Sequence, residues 1–129
     1  MTKQQDFSMW SVNFILFCLA NFLYYGAFYL YIPVLPQYVE MLGGTPADIG
    51  LVGGAFGLSS FLIRPYLGKL ANEWGRKRMM LLGTISFALL FLLFGRVTGV
   101  VPLVVLRLAH GLCLAMYLAA SAAYIADYA

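Results

Sequence analysis

Charge is what this chain is short of. Of its 129 residues only 10% are charged, while 63% are hydrophobic. A soluble domain carries about 25% charged residues, and one small soluble core cannot hide so much apolar surface. The shortage excludes a soluble globular domain and points to an integral membrane protein. Other scarcities narrow the reading. One histidine and two cysteines supply no metal-ligand cluster, and the chain has neither a Gly-Lys-Ser/Thr phosphate loop nor a carboxylate pair within one helix. Enzyme chemistry and ATP-driven transport have no residues here to carry them, and no cofactor or metal is expected. The net charge of +3 is no nucleic-acid signal, because the basic residues gather at one place. Cys18 and Cys113 lie inside apolar segments and read as small reduced packing residues rather than a disulfide. Residues 1–8 carry Lys3 and Asp6 with no cleavage-like motif after them, so the first apolar segment reads as a retained membrane helix.

Four segments are long and apolar enough to span a bilayer as helices: about 10–36, 47–70, 77–94 and 102–126. The runs do not alternate, so an all-α membrane protein with four transmembrane helices is expected rather than a barrel. Short connections make successive helices antiparallel neighbours. Thr45 is placed to cap the second span, Pro46 suits its first position, and Asp48 complements its dipole. Lys69, Arg76, Lys77 and Arg78 surround the turn between the second and third spans, against one Glu73. The first connection carries Glu40 and Asp48, and the third carries Arg96 alone. The positive-inside rule therefore places the second connection and both chain ends in the cytoplasm, with the single charge of Arg96 dissenting. In the second span Gly50, Gly53, Gly54 and Gly57 form a smooth face for a neighbouring helix, and Gly111, Ala115, Ala119 and Ala123 repeat the device in the fourth.

The run at 68–78, Gly-Lys-Leu-Ala-Asn-Glu-Trp-Gly-Arg-Lys-Arg, holds five of the thirteen charged residues. Alone it is a topology anchor whose Arg76, Lys77 and Arg78 sit at headgroup level. Gly68 permits close helix approach, and Gly75 can supply positive φ in a tight turn. The same run resembles the signature loop of the major facilitator superfamily, Gly-x-Leu-Ala-Asp-Arg/Lys-x-Gly-Arg-Arg/Lys-Arg/Lys, which lies between that family's second and third transmembrane helices. Arg107-Leu108-Ala109-His110-Gly111 in the fourth span is similar to its Arg-x-x-Gln-Gly motif. The resemblance covers the whole chain, as a partial N-terminal domain over residues 1–129. It implies the first four helices of a six-helix half in a secondary transporter, with both ends cytoplasmic in a bacterial-type cell membrane. Such a transporter moves a small solute, with proton-coupled export the first expectation. The implied partners are the lipid bilayer, a small-molecule substrate, a proton and the remainder of the transporter's own chain, with no nucleic acid.

Two positions depart from the family pattern: Asn72 stands where it has an acid, and Glu73 follows where it has a base. The resemblance implies a cytoplasmic latch around Gly68, Asn72, Glu73, Gly75, Arg76, Lys77 and Arg78, which the departures would weaken or re-site. Asp127, at the inner end of the fourth span, is a further latch candidate. At membrane depth an ionisable residue is a functional hypothesis by default. Arg107 and His110 share a helix face, and histidine titrates near physiological pH. With Gly111 they are read as cavity and coupling residues; the alternative is that Arg107 snorkels to the headgroups and His110 packs as a hydrogen-bonded residue. Arg64, before Pro65, is expected to snorkel. In the first span Asn21, Tyr25 and Tyr29 fall on one stripe; the family places its first and fourth helices at the central cavity, which makes these three candidates for substrate contact. Interhelical packing is the alternative. Two other architectures stay open: a dimeric exporter like the small multidrug resistance proteins, against which the absence of a carboxylate in the first span argues, and a non-transporting membrane scaffold.

Overall fold

The computed structural model describes residues 11–128, so Lys3, Asp6 and Trp10 lie outside the described residues. Five helices form: α1 (Val12–Tyr31), α2 (Val34–Met41), α3 (Pro46–Trp74), α4 (Arg76–Leu93) and α5 (Val100–Tyr128), with a 3₁₀ turn at Phe94–Arg96. There is no strand among the described residues. Four units are long and apolar enough to cross a membrane: α1, α3, α4 with its 3₁₀ turn, and α5.

The boundaries differ from the sequence expectation in informative ways. The first apolar segment is two helices, because Pro33 lacks the N–H that would continue the ladder and the chain re-forms a helix only at Val34. The charged run is not a loop. The second span continues to Trp74 and the next helix begins at Arg76, leaving Gly75 alone between them. Gly75 has φ of +90°, a region open to glycine at no steric cost. The start of α3 forms as expected. The Thr45 N–H donates to Asp48 Oδ2 at 2.7 Å, and the Asp48 N–H donates to Thr45 Oγ1 at 3.4 Å, closing a reciprocal cap with Pro46 just inside it.

Packing centres on α5. Within its apolar window 56% of residues are buried inside the chain, against 17–22% in the other three spans. It lies between α3 and α4. Val52 faces Arg107, Phe56 faces Gly111, and Arg64 lies beside Ala119. The offset along the two chains is nearly constant, so α3 and α5 run parallel. Against α4 and α1 the numbering runs in opposite senses, so both are antiparallel to α5. Gly111 makes the α3 approach possible: a Cβ there would collide with the Phe56 carbonyl and the Ser59 hydroxyl. Gly83 does the same for α4, where a Cβ would lie 3.1 Å from both the Cys113 carbonyl oxygen and the Tyr117 nitrogen. Lipid tails are as apolar as leucine, so such close van der Waals contact, rather than burial from water, holds membrane helices together.

The first span joins this core differently. It meets α5 through aromatic rungs: Phe17 on Tyr124, Tyr24 on Tyr117, and Tyr31 near His110, with centroids 4.7, 4.1 and 6.4 Å apart. Successive rungs are seven residues apart on each helix. Gly50, Gly53, Gly54 and Gly57 have open space around them, so the smooth face expected on the second span is not the face that packs on α5. That contact uses Val52, Ala55, Phe56 and Ser59 instead.

Gly111→Ala is expected to destabilise the bundle by about 1–3 kcal/mol through overpacking. Gly26→Ala, at a mid-helix site with no atom near an added Cβ, is expected to be neutral or slightly stabilising. Reversible unfolding in mixed detergent micelles measures both, and equal effects would remove Gly111 as a contact determinant.

Candidate functional site

A buried cation on α5 organises the interior. Arg107 is 3% exposed and His110, one turn on, is fully buried. Four helical elements contribute to their enclosure. The guanidinium lies 4.2 Å from the centroid of the Phe56 ring of α3 and 5.7 Å from that of Tyr31 of α1, and Arg107 Nε donates to the Val52 carbonyl at 3.5 Å. The rings of Phe87, Phe94, Phe56, Phe91 and Tyr31 surround the imidazole, the nearest with its centroid 3.9 Å away. Ring faces are electronegative, so they stabilise a cation where water cannot reach. Among the described residues neither ring nitrogen of His110, nor Arg107 Nη1, nor the Tyr31 hydroxyl has a hydrogen-bond partner. Unpaired buried polar groups are costly. The pair therefore sits inside an aromatic enclosure with polar capacity to spare. Gly111, the third residue of this motif, supplies the close α3 contact that brings Val52 and Phe56 within reach.

A groove of about 390 Å³ between α1, α2 and the end of α4 borders the enclosure and shares Tyr31, Phe91 and Phe94 with it. Here the Tyr38 hydroxyl donates to the Phe94 carbonyl, tying α2 to the 3₁₀ turn.

The residues of the charged run are brought together at the opposite end of the bundle. Arg76 NH1 forms an ion pair with Asp127 Oδ2, joining the start of α4 to the last turn of α5. Lys77 and Arg78 follow on the exposed surface. Asn72 and Glu73 are exposed on the final turn of α3 and outside that pair. Gly68 is exposed, and an added Cβ there would meet nothing, so within the described chain no helix uses its smoothness.

The stripe on α1 is not brought into the Arg107 enclosure. The Asn21 side-chain amide donates to the Phe17 carbonyl of its own helix at 2.9 Å. Tyr25 is half-buried, and Tyr29 is 65% exposed with its ring stacked on that of Tyr25. The residues of α1 that do reach the interior are Phe17, Tyr24, Phe28 and Tyr31. Sequence reasoning missed Tyr24, Tyr31, Phe56 and Tyr117. The signal that finds the three tyrosines is the pairing of aromatic residues at seven-residue spacing in two antiparallel spans; Phe56, on α3, lies outside that ladder. Arg64 is exposed beside a groove between α3 and α5. Cys18 and Cys113 are free thiols, exposed and buried respectively.

Arg76→Gln and Asp127→Asn are each expected to loosen the junction of α4 and α5, with the double variant no worse than the more damaging single one. A thermal-unfolding cycle in detergent should return a coupling of about 0.2–1 kcal/mol, the range for a partly exposed pair. Simple additivity would show that the pair contributes nothing.

Comparison with known proteins adds an independent line. Residues 17–129 match the model of the Major Facilitator Superfamily. Multidrug resistance protein 2 of Bacillus subtilis is 33% identical over 98 residues, covering 76% of this chain and 24% of its own length. Quinolone resistance protein NorA of Staphylococcus aureus is 36% identical over 98 residues, covering 76% of this chain and 25% of its own. The chain thus spans about a quarter of the length of these curated relatives. No solved structure matches it. With four membrane-length helices, the signature run joining the second span to the third, and a family match from Phe17 to the last residue, the chain belongs to the major facilitator superfamily.

Proposed function

We propose that this chain is the leading part of a multi-pass secondary transporter in a bacterial cell membrane, and that the whole transporter exports small organic molecules in exchange for protons. The relatives' names, multidrug resistance and quinolone resistance, support export. Secondary transporters of this kind rock two repeat-built halves about a midplane site, and four helices supply only part of such a pathway. The family match, the buried Arg107 and the lack of any phosphate-binding loop all favour a transporter over an enzyme. The charge cluster at the junction of α3 and α4 faces the cytoplasm in this reading.

The observation that carries the proposal is the enclosure around Arg107. A permanent charge is costly inside a bilayer unless it has a task and a partner, and no carboxylate occupies the interior of the described spans. Arg107 holds a fixed positive field beside His110, and the two control where a proton resides during the cycle. Gly111 sets the α3 contact that positions them. Arg76 and Asp127, with Gly75 as the link between α3 and α4, form the latch on the cytoplasmic side. Gly68, Lys77 and Arg78 belong to the same latch surface. Asn72 and Glu73 leave it with one fewer charge interaction than the family pattern. Asn21, Tyr25 and Tyr29, on the face of α1 turned from the enclosure, line the substrate path.

His110→Gln, made in the intact transporter, is expected to change the pH dependence of drug export while drug binding stays within about twofold. Efflux of a fluorescent drug from energised vesicles measures the first, and equilibrium binding the second. An unchanged pH profile removes His110 from coupling. Asn72→Asp is expected to shift the inward/outward balance, read by accessibility labelling from the two sides; no change would dismiss the idea of a weakened latch.

A further inference from the structure

Two cations lie within the described spans away from their ends, and they differ in access. Arg107 is walled in by rings. Arg64 is exposed, four residues from the midpoint of the 29-residue α3, which is about 6 Å along the axis. It has no hydrogen bond or ion pair among the described residues. It opens onto a groove of about 310 Å³ whose other walls are Gly68 of α3 and Leu118, Ala119 and Ala122 of α5. Its charge also reaches Tyr25 across on α1. The remaining cations among the described residues stand elsewhere: Lys69, Lys77 and Arg78 near helix ends at the charged junction, Arg96 at the opposite end, and Arg76 in its pair with Asp127.

The charge distribution selects a partner. Asp48 lies in the first turn of α3, Glu73 at its last, and Asp127 at the last turn of α5. Between these ends the described spans hold Arg64 and Lys69 on α3, Arg107 on α5, and no carboxylate. That interior repels a cationic guest and attracts an anionic one, and in a low-dielectric setting the difference is large. A guanidinium also presents a planar fork that matches a carboxylate in two parallel hydrogen bonds. The small side chains of the groove leave room for an apolar body beside that fork.

We infer that the groove at Arg64 receives the carboxylate of a small organic anion, whose apolar body lies along Leu118, Ala119 and Ala122. The inference rests on the transport proposal and names the charge class of its cargo. Arg64 then does not snorkel; it sits at the substrate path and sets charge preference.

The test uses three probes with one ring system and different heads: 1-naphthoate, 1-naphthylmethylammonium and 1-naphthylmethanol. Binding to the intact transporter in phosphatidylcholine nanodiscs is followed by naphthyl fluorescence in equilibrium dialysis. The wild-type protein is expected to bind the carboxylate at least about tenfold more tightly than the ammonium compound, the contribution of one charge-assisted contact. Arg64→Gln should collapse that ratio toward unity without moving the alcohol, and Arg64→Lys should keep most of it. Three results overturn the inference: no preference for the carboxylate, a preference that survives Arg64→Gln, or an equal loss for all three probes, which would make Arg64 a structural partner of another part of the protein. Energised drug efflux by the same preparation in vesicles reports the transport proposal separately. Efflux with no carboxylate preference sinks this inference alone, whereas absence of efflux sinks the proposal beneath it.

Discussion

The approach of α3 to α5 at Gly111 is the contact on which the interior depends. In lipid, helices gain little from hiding apolar surface and associate through close packing and polar contacts. At Gly111 the missing side chain lets the α3 backbone lie against α5, where a Cβ would strike Phe56 and Ser59. That proximity brings the Val52 carbonyl within 3.5 Å of Arg107 Nε and sets the Phe56 ring beside its charge. A wider spacing would leave the guanidinium unsolvated on that side. The same parallel register places Ala119 opposite Arg64 further along. One glycine therefore sets both the covering of one arginine and the groove at another.

The two ends of the bundle are tied by different means. Toward the end of α4 the ties are aromatic and neutral: Tyr31 against Phe91 and Phe94, and the Tyr38 hydroxyl on the Phe94 carbonyl. At the other end the tie is ionic, Arg76 to Asp127, beside a helix junction reduced to one glycine. Ionic contacts near the headgroups are weak and responsive to their surroundings, whereas ring contacts gain from many small attractions and do not depend on ionic strength. The charged end is thus the more responsive of the two to salt.

Much of the architecture was legible in the sequence, and the reason is the solvent. Hydropathy locates the four spans because a bilayer demands about twenty apolar residues, and the Thr45 cap and the Gly75 turn follow from local chemistry. What was not legible is which face of each helix packs. A soluble helix announces its inner face by contrast with a polar outer one, but here both faces are apolar and the contrast is missing. Hence Gly50, Gly53, Gly54 and Gly57 look like a packing face yet stand free, and Asn21, Tyr25 and Tyr29 look like the inward stripe of α1 while Tyr24, Phe28 and Tyr31 turn inward. The end of the first span was misjudged for another reason. Hydropathy runs on through Pro33 without a pause, while the backbone ladder does not.

The rungs between α1 and α5 act as a detent. They recur every seven residues on both helices, a repeat of about 10.5 Å along the axis. A slip of one helical turn, about 5.4 Å, would put every rung out of step at once and leave Tyr24 and Tyr117 facing residues not shaped for them. Only a slip of the whole seven-residue repeat would bring rings opposite one another again, and it would leave one rung unpaired. Small rolling or tilting about the ladder leaves the rungs in step, because the three ring pairs already meet at different angles, 31°, 10° and 75°. The first span is thus geared to α5: changes of angle between them disturb the rungs less than changes of register, as a hinge leaf turns on its knuckles more readily than it slides off them.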